Sequence, residues 1–309
     1  GRAQVLTVGE GGEGQRLDNF LMARLKGVPR SWVYRVLRRG EVRVNSGRSK
    51  PDRRLQRGDQ VRIPPLRLST SETPAVPGGL VNEIERTVLF EEGGLVVLNK
   101  PAGLAVHGGS GLAYGVIEAM RAARPQQSYL ELVHRLDRDT SGCLMLASKR
   151  SALTALQELQ RGGRIEKRYF ALLAGRIRKG AWRADLPLRK NTLKSGERVV
   201  RVDPEGKTAV THFTVLQRFA QATLVEAVLE TGRTHQIRVH AAANGTPILG
   251  DDKYGDEAAN QAFRARGLKR LFLHAASLRL AWPPGGRARR FEAPLPPALE
   301  QLLQQLERD

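Results

Sequence analysis

A charged turn between two apolar stretches, at residues 133–146, has the side chains best suited to chemistry. Two cations and two carboxylates occupy five consecutive positions there: Arg135, Asp137, Arg138 and Asp139. Turns between buried strands usually carry solvated Asn, Asp, Gly or Ser, so this concentration of charge calls for a further reason. A carboxylate held between cations and close to apolar strands can act as a nucleophile or as a base. Asp137 is therefore our first catalytic candidate.

Two other interpretations of this turn have to be weighed. A short charged turn is most often a structural one, whose ion pairs satisfy one another without any catalytic role. His134, Arg135 and Asp137 also resemble the His-Arg-Asp of a protein-kinase catalytic loop. That match fails because Leu136 interrupts it, because the chain has no Asp-Phe-Gly, and because residues 109–114 lack the third glycine. The structural turn remains open on these residues alone.

The charge of the chain indicates a polyanionic partner. The 309 residues carry a formal net charge of +20, which favours nucleic acid first and an anionic membrane surface second. No apolar run approaches the roughly 18 residues that span a bilayer, and residues 1–14 have no signal-peptide stretch. The single cysteine, Cys143, excludes an internal disulfide and is typical of a reducing compartment. We expect a cytoplasmic protein in which Cys143 is a core residue.

More than half of the excess charge lies in about a sixth of the chain. Residues 16–67 have fifteen Lys or Arg against four Asp or Glu, a net charge of +11. Apolar residues at helical spacing predict one helix from Leu17, and a second that Ser31 caps and Gly40 ends. Alternating residues predict short strands at 42–44 and 61–63.

Arginines on the open faces of these elements form a candidate RNA-binding surface: Arg16, Arg35, Arg38, Arg39 and Arg43. No aromatic side chains alternate with them, so we expect contacts to phosphates and RNA shape instead of base stacking. A basic face without a partner is disfavoured, because charges of one sign repel one another. The segment resembles the S4 RNA-binding domain in residues 16–18, 31–33 and 40–45.

The remainder of the chain has a different character. Residues 69–79 are rich in Ser, Thr, Pro and Gly and lack periodicity, which indicates a linker. Apolar stretches near 95–101, 169–173, 224–229 and 271–275 predict strands, and Ser151 opens a helix. Because strict βαβ alternation is absent, we predict an α+β domain with a large mixed, mostly antiparallel sheet. The predicted boundaries are 14–68 for the basic module, 69–83 for the linker and 84–309 for the catalytic domain.

The charged turn resembles the His-Arg-Leu-Asp-x-x-Thr-Ser-Gly signature of the pseudouridine synthases that modify ribosomal and transfer RNA. Residues 99–107, 167–169 and 231–240 resemble three further motifs of this family, in the family's order. The likeness runs from about Gly14 to the C-terminus. It is greatest to the type C synthases of the bacterial large ribosomal subunit, notably at residues 107–111 and 194–198.

The resemblance assigns roles to several residues. It implies that Asp137 is the catalytic carboxylate, that Tyr169 lines the uracil pocket and that Arg238 pairs with Asp137. It also implies that Arg135 occupies the gap that the target uridine leaves in the RNA stack, and that His134 supports the active site. On the residues alone, Tyr169 could equally be a core aromatic of its strand.

The third motif also makes chemical sense by itself. Gly232 is expected to end a strand and Thr234 to cap a helix, so that Arg238 can hold a carboxylate bidentately. His235 and His240 lie about 140° apart around that helix and do not form a metal pair. We expect no metal and no cofactor, since isomerisation of uridine requires neither a redox step nor an energy source.

The sequence thus predicts an RNA pseudouridine synthase that acts on large-subunit (23S) ribosomal RNA. We expect this enzyme to be a monomer that does not bind a membrane. Asp137 could attack the base, attack the sugar or deprotonate the sugar. The main rival is a catalytically idle RNA-binding assembly factor, which should have lost Asp137, Tyr169 or Arg238, whereas this chain keeps all three. A membrane-surface protein is a weaker third possibility.

Overall fold

The computed structural model describes residues 3–25, 28, 30–65, 76–108, 112–192 and 198–308. The chain divides into two compact units, Gly1–Pro74 and Ala75–Asp309, each with a hydrophobic core of its own. The first part of the predicted linker, residues 69–75, lies outside the described residues. Its last part is helical, because Leu80 and Ile84 are spaced four residues apart and pack on the core of the second unit.

The first unit packs two helices on a small antiparallel sheet with strand order β1-β4-β2-β3. Its elements are β1 (Gln4–Thr7), α1 (Leu17–Arg24), α2 (Arg30–Arg39), β2 (Arg43–Val44), β3 (Gly47–Arg48) and β4 (Gln60–Ile63). Both predicted helices and both predicted strands are present. Helix α2 begins at Arg30. The side chain of Ser31 lies outside the described part of the chain, so its predicted role as the cap stays a prediction.

The second unit is built around one large mixed sheet, which confirms the predicted fold class. Among the described residues, ten strands form it in the order β10-β13-β14-β9-β15-β8-β6-β5, with β16 beside β15 and β7 beside β8. The strands of this unit are β5 (Val88–Glu92), β6 (Leu95–Lys100), β7 (Glu131–Leu132), β8 (Ser141–Ala147), β9 (Glu166–Ala174), β10 (Ala181–Asp185), β11 (Leu188–Thr192), β12 (Arg198–Val202), β13 (Val210–Arg218), β14 (Ala222–Leu229), β15 (Leu273–Ala281) and β16 (Ala288–Glu292). Strands β11 and β12 form a separate hairpin.

Helices flank the sheet and contribute to the cores of the second unit. They are α3 (Gly78–Glu85), α4 (Val116–Ala123), α5 (Arg150–Arg161), α6 (Gln236–Ala243), α7 (Glu257–Ala265) and α8 (Pro297–Leu306). Strand β8 is buried along its whole length, and Cys143 within it is a core residue as predicted. Burial raises the pKa of the Cys143 thiol to about 12, so it is a thiol at neutral pH.

Candidate active site

The charged turn ends where β8 begins, and a close approach between two strands fixes that junction. Ser141 and Gly142 pair in parallel with His274 and Ala275 of β15. A side-chain carbon at Gly142 would come within 2.2 Å of the Ala275 carbonyl oxygen, and the backbone φ there is +107°. Only glycine permits this contact without strain, which explains the glycine that follows the charged turn.

A buried lysine supports the turn from beneath. Nζ of Lys100 donates hydrogen bonds to the carbonyl oxygens of Pro101, Leu104 and Arg138 at 2.7, 2.8 and 2.9 Å. The three acceptors match the three N–H groups of an ammonium ion. Burial, assisted by the charge of Arg270, lowers the pKa of Lys100 to about 7. This side chain ties the motif at residues 99–107 to the charged turn.

Asp137 meets Arg238 in the structure, although the geometry differs from the expected one. Nη1 of Arg238 lies 3.3 Å from Oδ2 of Asp137. The prediction that Arg238 holds a carboxylate bidentately is confirmed, but that carboxylate is Asp251, to which Nε and Nη2 of Arg238 donate at 2.7 and 2.8 Å. Asp251 is buried and also accepts the backbone amides of Lys253 and Tyr254. Asp251 thus fixes the position of Arg238, and Nη1 of Arg238 contacts Asp137. We call the contact between Arg238 and Asp251 the clamp.

The ionisation of this pair follows from its contacts. Burial alone would lower the pKa of Arg238, but the hydrogen bonds and charge of Asp251, followed by those of Asp137, raise it. Burial alone would raise the pKa of Asp251, but the hydrogen bonds from Arg238 and from the backbone lower it. Arg238 and Asp251 are therefore a charged pair at neutral pH.

A histidine that sequence reasoning did not select also faces Asp137. Nε2 of His235 lies 3.8 Å from Oδ1 of Asp137, and its Nδ1 lies 2.7 Å from the hydroxyl of Tyr254. That hydroxyl already accepts the backbone amide of Val200, so it donates its own proton to Nδ1. The ring proton then sits on Nε2, directed at Asp137. Burial lowers the pKa of His235, which keeps the ring neutral.

The backbone at His235 is left-handed, with φ of +54°. This residue occupies the N-cap of α6, so the prediction that Thr234 caps the helix was wrong. The preceding strand ends at Leu229, before the predicted Gly232. Gln236 fixes the helix start instead, because its side chain accepts the amide of Arg233 and donates to the carbonyl of Val210. A non-glycine residue held in this conformation is typical of a functional site.

A pocket opens beside Asp137. Its inner wall is apolar, formed by Leu136, Leu229, Ile237 and Leu273 together with the ring of Tyr169. Tyr169 is buried, and burial followed by the charge of Asp137 raises the pKa of its hydroxyl. The phenol is therefore protonated at neutral pH.

The mouth of the pocket is basic. Arg135 and Arg233 line it, and both side chains are exposed. Asp139 does not line the pocket but pairs with Arg138 at 3.1 Å on the surface. Of the two carboxylates in the turn, Asp137 is the one that the pocket presents.

His134 lies behind the pocket wall. Its ring is buried, and Nε2 accepts the backbone amide of Met145 at 3.2 Å. Burial lowers the pKa of His134 to about 3, so the ring is neutral and can accept. This residue joins the turn to β8 and supports the site only indirectly.

The predicted RNA-binding residues of the first unit fall into two groups. Arg35, Arg38 and Arg39 are exposed on α2. Arg43 is also exposed. It lies directly opposite Arg48 and Arg62 on the neighbouring strands. Like charges in opposed positions destabilise a sheet, so this row is suited to an anion.

Arg16 differs from the other predicted RNA contacts. Its guanidinium donates two hydrogen bonds to the buried Asp18, at 3.1 and 2.7 Å. Its charge is thus engaged inside the unit.

Two other kinds of site are absent from the residues that the structure describes. No helix there is long and apolar enough to cross a bilayer. No group of three or more His, Cys, Asp or Glu side chains there has the arrangement of a metal site.

Comparisons with known proteins agree with the geometry of the site. Residues 94–243 match the RNA pseudouridylate synthase family, and residues 15–61 match the S4 domain. The chain is 52% identical to "Ribosomal large subunit pseudouridine synthase C" of Pasteurella multocida, over 97% of this chain and 93% of that protein. The Escherichia coli protein of the same name is 52% identical, over 95% and 93%. The chain belongs to the RNA pseudouridine synthase family.

A solved structure supports the same assignment for the synthase. "Human RNA Pseudouridylate Synthase Domain Containing 4" has a TM-score of 0.62 and 29% identity, over 74% of this chain and 96% of that one. The prediction of an RNA pseudouridine synthase with an S4 domain is thereby confirmed. The synthase is an isomerase, so the idle assembly factor is no longer a competing interpretation.

Sequence reasoning missed four residues that shape the site of the synthase. His235 was considered only as a metal ligand, and Lys100 was quoted in a motif without a role. Asp251 and Tyr254 lie in a segment, Gly-Asp-Asp-Lys-Tyr-Gly, whose acidic residues between glycines were a usable signal. The sequence of this segment does not show that Asp251 and Tyr254 contact Arg238.

Proposed function

We propose that this synthase converts uridines of large-subunit ribosomal RNA into pseudouridine, with Asp137 as the carboxylate that begins the reaction. The observation that carries the choice of RNA is the likeness to relatives named for the large ribosomal subunit, at 52% identity over almost the whole chain. The S4 domain and the net charge of +20 agree with an RNA substrate.

The pocket is suited to one extruded pyrimidine. Its apolar wall and the Tyr169 ring can pack on the faces of a uracil, while Asp137 lies at the edge. The target uridine must leave its stack to enter, which costs a few kcal/mol. Arg135, exposed at the mouth, is positioned to occupy the gap left in the RNA.

The reaction breaks the bond from N1 to the sugar, turns the uracil and joins C5 to the sugar. The C5 proton is lost and N1 gains one, so atoms and charges balance. Asp137 supplies the negative charge that starts bond cleavage. Arg238, held by Asp251, orients Asp137, and the Nε2 proton of His235 faces its second oxygen. The hydroxyl of Tyr169 is protonated, so it cannot act as a base until it has lost its proton. The role of Tyr169 at the start of the reaction is therefore to pack against the base.

The remaining proposed properties concern the whole protein. Arg35, Arg38, Arg39 and Arg43 are proposed as phosphate contacts of the S4 domain. Arg16 contributes mainly through its pair with Asp18. The enzyme is also proposed to act as a monomer. The proposed substrate, ribosomal RNA, supports a cytoplasmic location.

The test is a map of pseudouridines in 23S ribosomal RNA from cells that lack the gene. Specific sites should be lost, should return with the wild-type gene, and should stay absent with Asp137→Asn. An unchanged map would refute the large-subunit substrate. Restoration by Asp137→Asn would remove Asp137 from its role.

A further inference from the structure

A second groove adjoins the active-site pocket and has no role in the reaction described above. It has a volume of about 460 Å³, within the size range of sites for small organic ligands. Arg135 and Arg233 line both this groove and the pocket of Asp137. Whatever occupies the groove therefore lies next to the target uridine.

The rim of this groove is strongly basic. Five cationic side chains and one carboxylate line it: Arg135, Arg189, Lys190, Lys207, Arg233 and Glu205. Within the described part of the chain, neither Lys190 nor Lys207 forms an ion pair, and both are exposed. Arg189 has only a distant carboxylate, that of Asp203 at 3.7 Å. Unneutralised charge of one sign next to an RNA-modifying site is suited to phosphate.

The backbone that carries these cations is rigidly held. Leu188 and Lys207 exchange two backbone hydrogen bonds of 2.9 Å, which join the turn after β12 to the start of β11. A side-chain carbon at Gly206 would lie 2.6 Å from the carbonyl carbon of Leu188, so only glycine fits there. Leu188 and Val200 are buried and form an apolar floor beneath the charges.

The same hairpin is connected to the catalytic carboxylate. The amide of Val200 donates to the hydroxyl of Tyr254, which donates to His235, and His235 faces Asp137. On the opposite side, Nε of Arg233 donates to the carbonyl of Thr208 at 3.0 Å. The groove therefore has a fixed position relative to the reacting uridine.

We propose that this groove, lined by residues 188–190 of β11, Val200 of β12 and residues 205–207 and 232–234, binds the sugar-phosphate backbone of the nucleotides flanking the target uridine. The proposal rests on the proposed function of the neighbouring pocket. The occupant is a phosphodiester of the same strand, because the groove is continuous with the pocket at Arg135 and Arg233. Its function is to bind the strand beside the pocket, so it contributes to RNA affinity.

The test compares affinities for 23S ribosomal RNA across a salt series. In Lys190→Gln/Lys207→Gln, two phosphate contacts are lost. Affinity should fall roughly tenfold, and the slope of log K against log salt should become shallower by about 1.4. Lys149→Gln/Arg150→Gln is the matched control, since both residues are exposed and follow the end of β8 remote from the charged turn. This control should bind like the wild type.

Glu205→Gln provides a test of opposite sign. It removes the carboxylate that lines the groove among the residues that the structure describes, so RNA should bind about twofold to threefold more tightly.

Two results would overturn the groove proposal. One is equal affinity and equal slope for the lysine variant and its control. The other is a loss confined to the saturating rate. If the wild type forms no pseudouridine in 23S RNA, the proposed substrate is wrong. The role of the groove is then decided by comparing the affinities of the lysine variant and its control for the RNA that is modified.

Discussion

Asp251 is the residue whose replacement best tests how the site is held together. It accepts two hydrogen bonds from Arg238 and two from backbone amides, and its side chain is only 1% exposed. In Asp251→Asn, an NH2 group replaces one of the oxygens that accept these hydrogen bonds, and an NH2 group cannot accept them. The negative charge that balances Arg238 is also lost. Arg238 remains 11% exposed, with Asp137 as its acidic partner at 3.3 Å.

The size of the effect follows from these contacts. Two charge-assisted bonds become neutral, at about 1 kcal/mol each, and one buried donor loses its acceptor, at about 1–3 kcal/mol. The free energy of unfolding should fall by roughly 3–5 kcal/mol, as expected when one partner of a buried ion pair is removed. Because Arg238 is no longer fixed against Asp137, the single-turnover rate should fall roughly 100-fold. RNA affinity should change little.

Asp252→Asn is the matched control, with the same change in charge one residue away. Its carboxylate is 87% exposed and lies 3.5 Å from Arg264, so stability should change by about 0.5 kcal/mol or less. Urea unfolding followed by tryptophan fluorescence in a Trp32→Phe background reports on the catalytic unit through Trp182 and Trp282. A loss below about 1 kcal/mol, or a wild-type rate in Asp251→Asn, would refute the clamp.

The clamp also predicts a dependence on pH. The pKa of Asp251 in the folded protein lies below its ordinary value of 3.8. Its stabilising contribution is therefore complete above that value and is lost as the pH falls through the lower, folded pKa. The difference in stability between wild type and Asp251→Asn should be constant from about pH 5 to 8 and shrink below about pH 4. A difference that persists at lower pH would contradict the ionic origin of the clamp.

Three further changes test the other parts of the enzyme. Asp137→Asn should abolish isomerisation while RNA affinity stays near that of the wild type, as single-turnover and binding assays would show. His235→Asn tolerates the left-handed backbone but withdraws the proton that faces Asp137, so the single-turnover rate should fall roughly tenfold. Unaltered rates would exclude that contact. Charge reversal at Arg35, Arg38 and Arg39 should weaken RNA binding and flatten its salt dependence, whereas coincident salt slopes would exclude this face.

The sequence alone determined much of the chemistry. Asp137, Tyr169 and Arg238 lie in compact motifs whose residue types can be recognised without a structure, and the apolar pattern predicted the strand that carries Tyr169. The excess of arginine over residues 16–67 predicted a nucleic-acid partner, because net charge is additive and requires no coordinates. The α+β class followed from the absence of βαβ alternation.

Only the tertiary structure decided how these residues act on one another. Sequence spacing gives no distance between Arg238 and a carboxylate 13 residues further on, so the sequence predicted a bidentate carboxylate partner but could not identify it as Asp251. Lys100 supports a carbonyl 38 residues away in the chain, at Arg138. Side-chain hydrogen bonds depend on distances of a few tenths of an ångström, whereas motifs and periodicity fix only residue type and local backbone. The proton on Nε2 of His235, directed at Asp137, is the clearest case, since it depends on contacts that Tyr254 and Val200 make only in the folded chain.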